Sequence, residues 1–164
     1  MFKYMRIMSK KKVLNEKRVP EYLYKKITQV MPVFCVDVIF KSKNKVYLFK
    51  RSYQPAKNKW WIVGGRVLKG ERLRDAAIRK AKEEIGVDVK IQKMVGTYEL
   101  FLQPGYFNSK KGAHTISVCF LAQPKDKNFT LNLNEEYTGY RLISRISRNL
   151  HPYIQKVLKD SGVF

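Results

Sequence analysis

The segment from a glycine pair to a later glycine, residues 64–86, constrains the fold more than any other part of the chain. Within it, apolar residues recur every four positions, which places them on one side of an α-helix; they are Leu73, Ala77, Ala81 and Ile85. Gly86 follows, where a left-handed backbone ends a helix at little cost. The pattern therefore predicts an α-helix over Leu73–Ile85. Because glycines let a ligand approach the backbone closely, the pair before this helix is a candidate ligand contact.

The same helix carries carboxylates in an unfavourable place. Glu83 and Glu84 are adjacent like charges near its C-terminus, where the helix dipole disfavours them. Glu84 falls at the edge of the apolar face, and Arg79 stands four residues before Glu83 on a shared face. Carboxylates turned partly inward are suited to a hard cation, which could in turn bridge phosphate oxygens.

The charge of the chain indicates what it binds. Lys and Arg number 34 against 13 Asp and Glu, and the net charge of +21 favours polyanionic partners such as nucleotides or nucleic acid. A solvated, lysine-rich surface explains the same charge equally well. No apolar run reaches the roughly 18 residues of a membrane span, so we expect no membrane partner.

The composition also predicts the domain organisation and the compartment. The 164 residues suffice for one domain, and a hydrophobic content of 45% excludes a disordered chain. We expect a flexible basic arm over residues 1–19 and a single domain over residues 20–164. Because two cysteines cannot form a disulfide scaffold, a reducing compartment and hence the cytoplasm is expected.

Apolar and β-branched segments outline the rest of the domain. They predict a helix over 20–30, a hairpin of strands over 33–40 and 46–51, further strands within 62–67, 87–101 (one or two), 115–122 and 140–143, and a last helix over 151–158. Strands that precede and follow a central helix are typical of a mixed α/β (α+β) sandwich.

The central segment resembles the Nudix box, a long motif of fixed spacing, Gly-x5-Glu-x7-Arg-Glu-apolar-x-Glu-Glu-x-Gly-apolar. The chain matches this motif at Gly65, Glu71, Arg79, Ala81, Glu83, Glu84, Gly86 and Val87. It departs at Lys80, where the family has a metal-binding or proton-abstracting Glu. An ammonium there, four residues before Glu84, could sit where a second metal would. The resemblance implies the Nudix fold, an α/β/α sandwich around a mixed β-sheet.

One Nudix branch, the GDP-mannose mannosyl hydrolases, also lacks that Glu, and the chain resembles it over roughly residues 20–145. The likeness includes segments 32–37, 50–56 and 64–67. It implies a hydrolase that depends on Mg²⁺ (or Mn²⁺) and acts on a nucleoside diphosphate-linked small molecule, most of all a nucleotide sugar such as GDP-mannose. Water attacks the sugar C1 in that branch, which releases GDP and the free sugar. The branch forms dimers, so a homodimer is also implied.

The resemblance further assigns roles to individual residues. The implied metal ligands all offer oxygen and are Gly64 (through its carbonyl), Glu83, Glu84 and Glu136. Arg51 and Arg66 would bind the phosphates and neutralise the departing diphosphate. Asp37 would lie near the sugar, and Arg79 would orient the acids, with Glu83 counted among the catalytic residues.

Two further residues are candidates for substrate binding, and the general base stays open. Trp60 could stack on the base, although such a residue more often packs in the core. His114 is the other candidate, with a structural role as its commoner use. Tyr137 stands where the branch has a catalytic His, and its ordinary pKa near 10 makes it a poor base. The candidates for the base are Glu135, Glu136, His114 and Asp37.

Two other functions fit the same residues. A conventional Nudix pyrophosphohydrolase would cleave a P–O bond of a nucleotide sugar, a nucleoside triphosphate or an RNA 5′ end. Glu83 together with Glu136 would then form a fuller metal site. A Nudix-fold module without catalysis would instead bind nucleic acid through its Lys and Arg side chains, with a steep dependence on salt.

Overall fold

The computed structural model describes residues 19–164, so the predicted basic arm lies outside the described part except for its last residue. In chain order the helices and strands are α1 (Glu21–Val30), β1 (Val33–Ser42), β2 (Lys45–Arg51), β3 (Trp60–Trp61), β4 (Val63–Arg66), α2 (Leu73–Ile85), β5 (Val89–Leu102), β6 (Ala113–Pro124), β7 (Tyr137–Ile143) and α3 (Pro152–Ser161). A short 3₁₀ turn covers Tyr106–Asn108.

The seven strands form one mixed sheet with β1 near its centre. β1 pairs in parallel with β6 and antiparallel with both β2 and β4. β5 pairs antiparallel with β6, and β7 and β3 pair antiparallel with β2. In the register of β1 and β4, Asp37 lies opposite Gly64, which brings the predicted sugar-side acid beside the glycine pair.

Two apolar clusters cover the opposite faces of this sheet. One contains Val36 of β1 with Ile85 and the buried alanines of α2. The other contains Ile39 of β1 with Ile154 and Leu158 of α3. Successive residues of a strand point to opposite faces, so the apolar run of β1 supplies both clusters. The predicted α/β/α sandwich around a mixed sheet is therefore confirmed.

The central helix ends as its sequence predicts. α2 spans Leu73–Ile85, and Gly86 follows it with a φ of 73° in the left-handed region. Its buried face carries Glu84 beside Ile85 and the alanines, which confirms that this carboxylate turns inward. Charge and burial are thus combined at one position of the helix.

Some elements differ in extent from the sequence patterns. Residues 87–101 form the single strand β5 with two irregularities in its register, because β6 pairs with it along nearly its whole length. The last strand is longer than predicted and begins at Tyr137. The last helix runs to Ser161, and His151 caps its start by accepting a hydrogen bond from the Tyr153 N–H.

The first helix is attached to the surface of the sandwich. No residue of α1 is fully buried, and the helix contacts β6 and the 3₁₀ turn. Between residues 19 and 164, none of the helices has the length and apolar character that a bilayer crossing requires.

Candidate active site

A cavity of about 530 Å³ opens where α2, β4 and the segment that precedes β7 meet. Its wall combines carboxylates with cations and aromatic rings. All eight predicted catalytic and metal-binding residues line it: Asp37, Arg51, Gly64, Arg66, Arg79, Glu83, Glu84 and Glu136. Sequence positions up to a hundred residues apart are therefore brought together in one place.

Glu84 is the most deeply buried carboxylate of this cavity. The residue is 2% exposed, and its Oε2 accepts hydrogen bonds from the Gly64 N–H at 3.3 Å and from the Tyr137 hydroxyl at 2.6 Å. The Lys80 ammonium forms an ion pair with the other oxygen. Both carboxylate oxygens are thus provided with donors, as a buried charge requires.

Lys80 lies between the two carboxylates of the helix. Its Nζ contacts Glu84 and is 3.7 Å from the Glu83 Oε2. A Cβ atom on Gly65 would come within 2.6 Å of the Lys80 Cε, so the absence of a side chain at position 65 leaves room for this lysine. The ammonium therefore fills one of the positions in which a cation would contact these acids.

Arg79 is held in a dense network at the side of the cavity. Its guanidinium donates to the two oxygens of Glu71 at 2.6 and 2.8 Å, to Glu83 at 3.1 Å and to the Arg66 carbonyl at 3.0 Å. Burial opposes ionisation of Glu71, but hydrogen bonds from Arg79 and from the Leu68 N–H prevail and lower the pKa of its carboxyl. Glu71 thus fixes Arg79, and Arg79 in turn fixes Glu83.

Two more arginines supply positive charge to the cavity. The Arg51 Nε donates to the Pro55 carbonyl at 2.9 Å, and its guanidinium lies 3.6 Å from the Glu136 carboxylate. The Arg66 guanidinium lies over the ring of Tyr24, 3.7 Å from its centroid. Planar guanidinium groups of this kind suit bidentate binding of phosphate.

Asp37 lies on the cavity wall formed by β1. It is 6% exposed and accepts a hydrogen bond from the Tyr153 hydroxyl of α3. Burial raises the pKa of its carboxyl to about 6, against the opposing effect of hydrogen bonds from Tyr153 and Ser117. A Cβ on Gly64 would collide with this carboxylate, so glycine is required at that position for steric reasons.

Trp60 and His114 do not line the cavity. Trp60 packs under the Arg141 guanidinium, whereas its neighbour Trp61 faces the cavity and stacks on Tyr153. The His114 ring stacks on an exposed phenylalanine of β5 and its Nε2 is 2.9 Å from Glu99. Strand alternation turns both side chains away from the cavity, so their positions give no support to the predicted roles in substrate binding.

Sequence reasoning missed four aromatic residues that line the cavity, Tyr24, Tyr53, Tyr106 and Phe107, and it missed Tyr153, which supports Asp37 from α3. Tyr24 and Tyr106 come from α1 and the 3₁₀ turn, neither of which carries a motif. One of these contacts could have been anticipated. An acid within an apolar strand, as at position 37, needs a polar partner, and the Tyr153 hydroxyl is that partner.

The donor set fits one hard divalent cation. Glu83 and Glu84 offer only oxygen, which is the ligand type that Mg²⁺ prefers, and the Lys80 ammonium already occupies a cation position between them. Across residues 19–164, no group of three or more acidic, His or Cys side chains lies close enough together to hold a metal by itself. A divalent ion bound by Glu83 and Glu84 would therefore need further oxygen ligands from the substrate or from water.

Comparisons with known proteins agree with this geometry. A family model described as the NUDIX domain matches residues 31–152. The low-salt glycan biosynthesis protein Agl8 of Haloferax volcanii is 30% identical over 141 residues, which cover 86% of this chain and 89% of that protein. An ADP-ribose pyrophosphatase of Methanocaldococcus jannaschii is 31% identical over 112 residues, or 68% of this chain and 60% of that protein.

The fold also recurs among solved structures. A NUDIX hydrolase from Nitrosomonas europaea superimposes with a TM-score of 0.64 at 18% identity, over 79% of this chain and 88% of that one. At this identity the match concerns the fold alone.

Proposed function

Since this chain belongs to the NUDIX domain family, we propose that it is a divalent-metal-dependent hydrolase of a nucleotide sugar, with GDP-mannose as the first candidate. It releases the nucleoside diphosphate and the free sugar by attack of water at the sugar C1. The observation that carries this proposal is the position of Lys80, whose ammonium lies between Glu83 and Glu84. The protein itself thereby fills one cation position. This favours departure of the diphosphate from the sugar carbon over an attack on phosphorus that several metal ions would assist.

The chain's own cations would stabilise the leaving group. The oxygen of water bonds to C1, the bond from C1 to the phosphate oxygen breaks, and the electron pair remains on the diphosphate. Arg51 and Arg66 line the same cavity as the α2 acids and would neutralise that charge. A divalent cation held by Glu83 and Glu84, when bound, supplies further positive charge to the diphosphate oxygens.

The proton of the attacking water has three candidate acceptors in the cavity. Asp37, Glu135 and Glu136 line its wall, whereas the fourth candidate, His114, lies elsewhere. Asp37 is held in place by Tyr153, which suits a base that must keep a fixed geometry. Each of these three acids is replaced by its amide in a separate variant. The variant with the largest loss of kcat identifies the base.

Product analysis tests the proposed reaction. The purified chain is incubated with GDP-mannose and Mg²⁺ in ¹⁸O-labelled water. GDP with labelled mannose is the expected result, because the label enters at C1. GMP with mannose 1-phosphate, or label in the GDP, contradicts attack at carbon. Glu84→Gln should abolish turnover, while Asp88→Asn, an exposed acid away from the cavity, should retain it.

A second candidate is P–O cleavage of a nucleoside diphosphate derivative. The relative named as an ADP-ribose pyrophosphatase and the presence of Glu136 in the same cavity as Glu83 both favour it. Release of AMP and ribose 5-phosphate from ADP-ribose, with GDP-mannose untouched, would establish this alternative.

We also propose that the chain acts as a homodimer, as the resemblance of its sequence implies, and that it works in the cytoplasm, as its small number of cysteines indicates. Cys35 and Cys119 are both buried, unpaired thiols, as expected in a reducing compartment. Sedimentation equilibrium gives the oligomeric state, and a monomer at micromolar concentration would contradict the proposal.

A further inference from the structure

Helix α1 lies before the residues that the family model matches, yet it contributes a side chain to the cavity. The match begins at residue 31, whereas Tyr24 lines the cavity wall. Tyr24, Ile27 and Thr28 form the half-buried face of the helix, and Tyr22 on the other side is 69% exposed. Tyr24 is thus the point at which this helix enters the site.

The ring of Tyr24 is surrounded by one cation and two aromatic rings. The Arg66 guanidinium lies 3.7 Å from the ring centroid. The rings of Tyr106 and Phe107 approach edge-on, with centroids 5.7 and 5.8 Å from that of Tyr24. Burial raises the pKa of the Tyr24 hydroxyl to about 12, so its ring is neutral where it meets the arginine.

Stacking fixes the orientation of a guanidinium without occupying its donors. The attraction acts through the flat face of the group, whereas its N–H donors point outward in the plane. A stacked arginine therefore keeps its in-plane donors for an anion. Arg66 lines the same cavity as Arg51, so these donors are available on the side where phosphate would bind.

We propose that Tyr24 is a positioning residue that holds the Arg66 guanidinium with its N–H edge toward the diphosphate of the substrate. Helix α1 is thereby part of the substrate-binding site. The inference rests on the proposed function only in taking a diphosphate as the ligand, and it does not depend on which bond is broken.

Binding of inorganic pyrophosphate and of GDP, measured by titration calorimetry at fixed salt without turnover, tests the proposal. Tyr24→Ala should weaken both by roughly tenfold, because a stacked cation loses its support. Tyr24→Phe should bind as the wild type does. Tyr22→Ala, a matched change on the exposed side of the same helix, should have no effect.

A double-mutant cycle separates positioning from mere loss of structure. If Tyr24 acts through Arg66, adding Tyr24→Ala to Arg66→Ala should weaken pyrophosphate binding no further. Additive losses would overturn the proposal, as would wild-type affinity in Tyr24→Ala or a wild type that binds neither ligand. A loss confined to GDP would instead assign Tyr24 to the base.

Limited trypsin digestion reports on the helix independently. Lys25 and Lys26 are exposed cleavage sites within α1. Saturating pyrophosphate should slow cleavage there by several-fold in the wild type and in Tyr24→Phe, but not in Tyr24→Ala. Cleavage that is unchanged by pyrophosphate in the wild type would contradict a role of α1 in binding. Failure of the sugar-release assay, in contrast, would leave all these binding results unaffected.

Discussion

The Tyr137 hydroxyl donates a 2.6 Å hydrogen bond to the Glu84 carboxylate, and both residues are buried. This contact joins the start of β7 to the central helix. Burial, followed by the nearby charge of Glu84, raises the pKa of Tyr137 well above its ordinary value, so the hydroxyl keeps its proton. The position at which the resembled branch carries a base thus serves here to hold a carboxylate.

Removal of this hydroxyl should destabilise the fold. Tyr137→Phe leaves one oxygen of a buried carboxylate short of a donor, which we expect to lower the free energy of unfolding by about 1–3 kcal/mol. Urea denaturation measures this free energy of unfolding. Tyr140→Phe, on the same strand and 49% exposed, is the control and should change stability by less than about 0.5 kcal/mol. Equal effects of the two changes would contradict the role given to Tyr137.

Neutralising Lys80 should increase the affinity for a divalent cation. Lys80→Met removes the ammonium between Glu83 and Glu84, and the loss of a competing unit charge should tighten Mn²⁺ binding at least about tenfold. Titration calorimetry on the protein alone gives the affinity. Lys82→Met changes an exposed lysine that pairs with Asp88, and should leave Mn²⁺ binding almost unaltered. Unchanged affinity in Lys80→Met would show that this ammonium does not occupy the cation position.

The two glycines before α2 should differ in their tolerance of a side chain. A Cβ at position 64 meets the Asp37 carboxylate and lies 2.7 Å from the Val36 carbonyl, so Gly64→Ala should cost about 1–3 kcal/mol of stability or more. A Cβ at position 65 meets only the flexible Lys80, so Gly65→Ala should cost less. Thermal denaturation of both is compared with Gly139→Ala, where the added atom meets nothing. A larger loss in Gly65→Ala would refute this ranking.

The buried Asp37 should make stability depend on pH. Burial raises its pKa to about 6 in the folded state, above the ordinary value of 3.8, so the native protein binds more protons than the unfolded chain between these values. The free energy of unfolding should therefore fall as pH rises from about 4 to about 6, by about 3 kcal/mol in total. Asp37→Asn removes this contribution.

The difference between the wild type and Asp37→Asn, measured in metal-free protein by urea denaturation at several pH values, isolates the effect of this one group. A difference that stays constant from pH 4 to 7 would show that Asp37 keeps an ordinary pKa. Asp160→Asn is a suitable control, because Asp160 is solvent-accessible and its pKa is lowered by the Lys156 ammonium.

Much of the fold follows from local patterns. The four-residue spacing of apolar side chains and Gly86 predict the bounds of α2 without reference to any other segment. The same holds for the inward turn of Glu84, because its angle on the helix is a property of the helix period. The strands of the sheet are also recognisable, although the single long β5 depends on its partner β6 for its continuity.

The side of the sheet on which a residue lies is harder to predict. β3 has only two residues, Trp60 and Trp61, so no alternation shows which of them faces the cavity. His114 and Thr115 are likewise neighbours in β6, and the cavity receives Thr115. A shift of one residue in the strand register would turn the other residue of each pair toward the cavity. The register is set by pairing with strands that are distant in the sequence.

Periodicity and a spaced motif within about twenty residues are enough to predict the central helix with Arg79, Glu83 and Glu84. Asp37, Arg51, Arg66 and Glu136 were predicted only from the resemblance to a family branch over a longer part of the chain. The side chains that support these residues become visible only once the chain is folded. Tyr24 stacks on Arg66, Tyr137 donates to Glu84 and Tyr153 to Asp37, across separations in the chain of 42, 53 and 116 residues. No local pattern encodes such pairs, because they form when packing of the two helical layers on the sheet brings distant segments together.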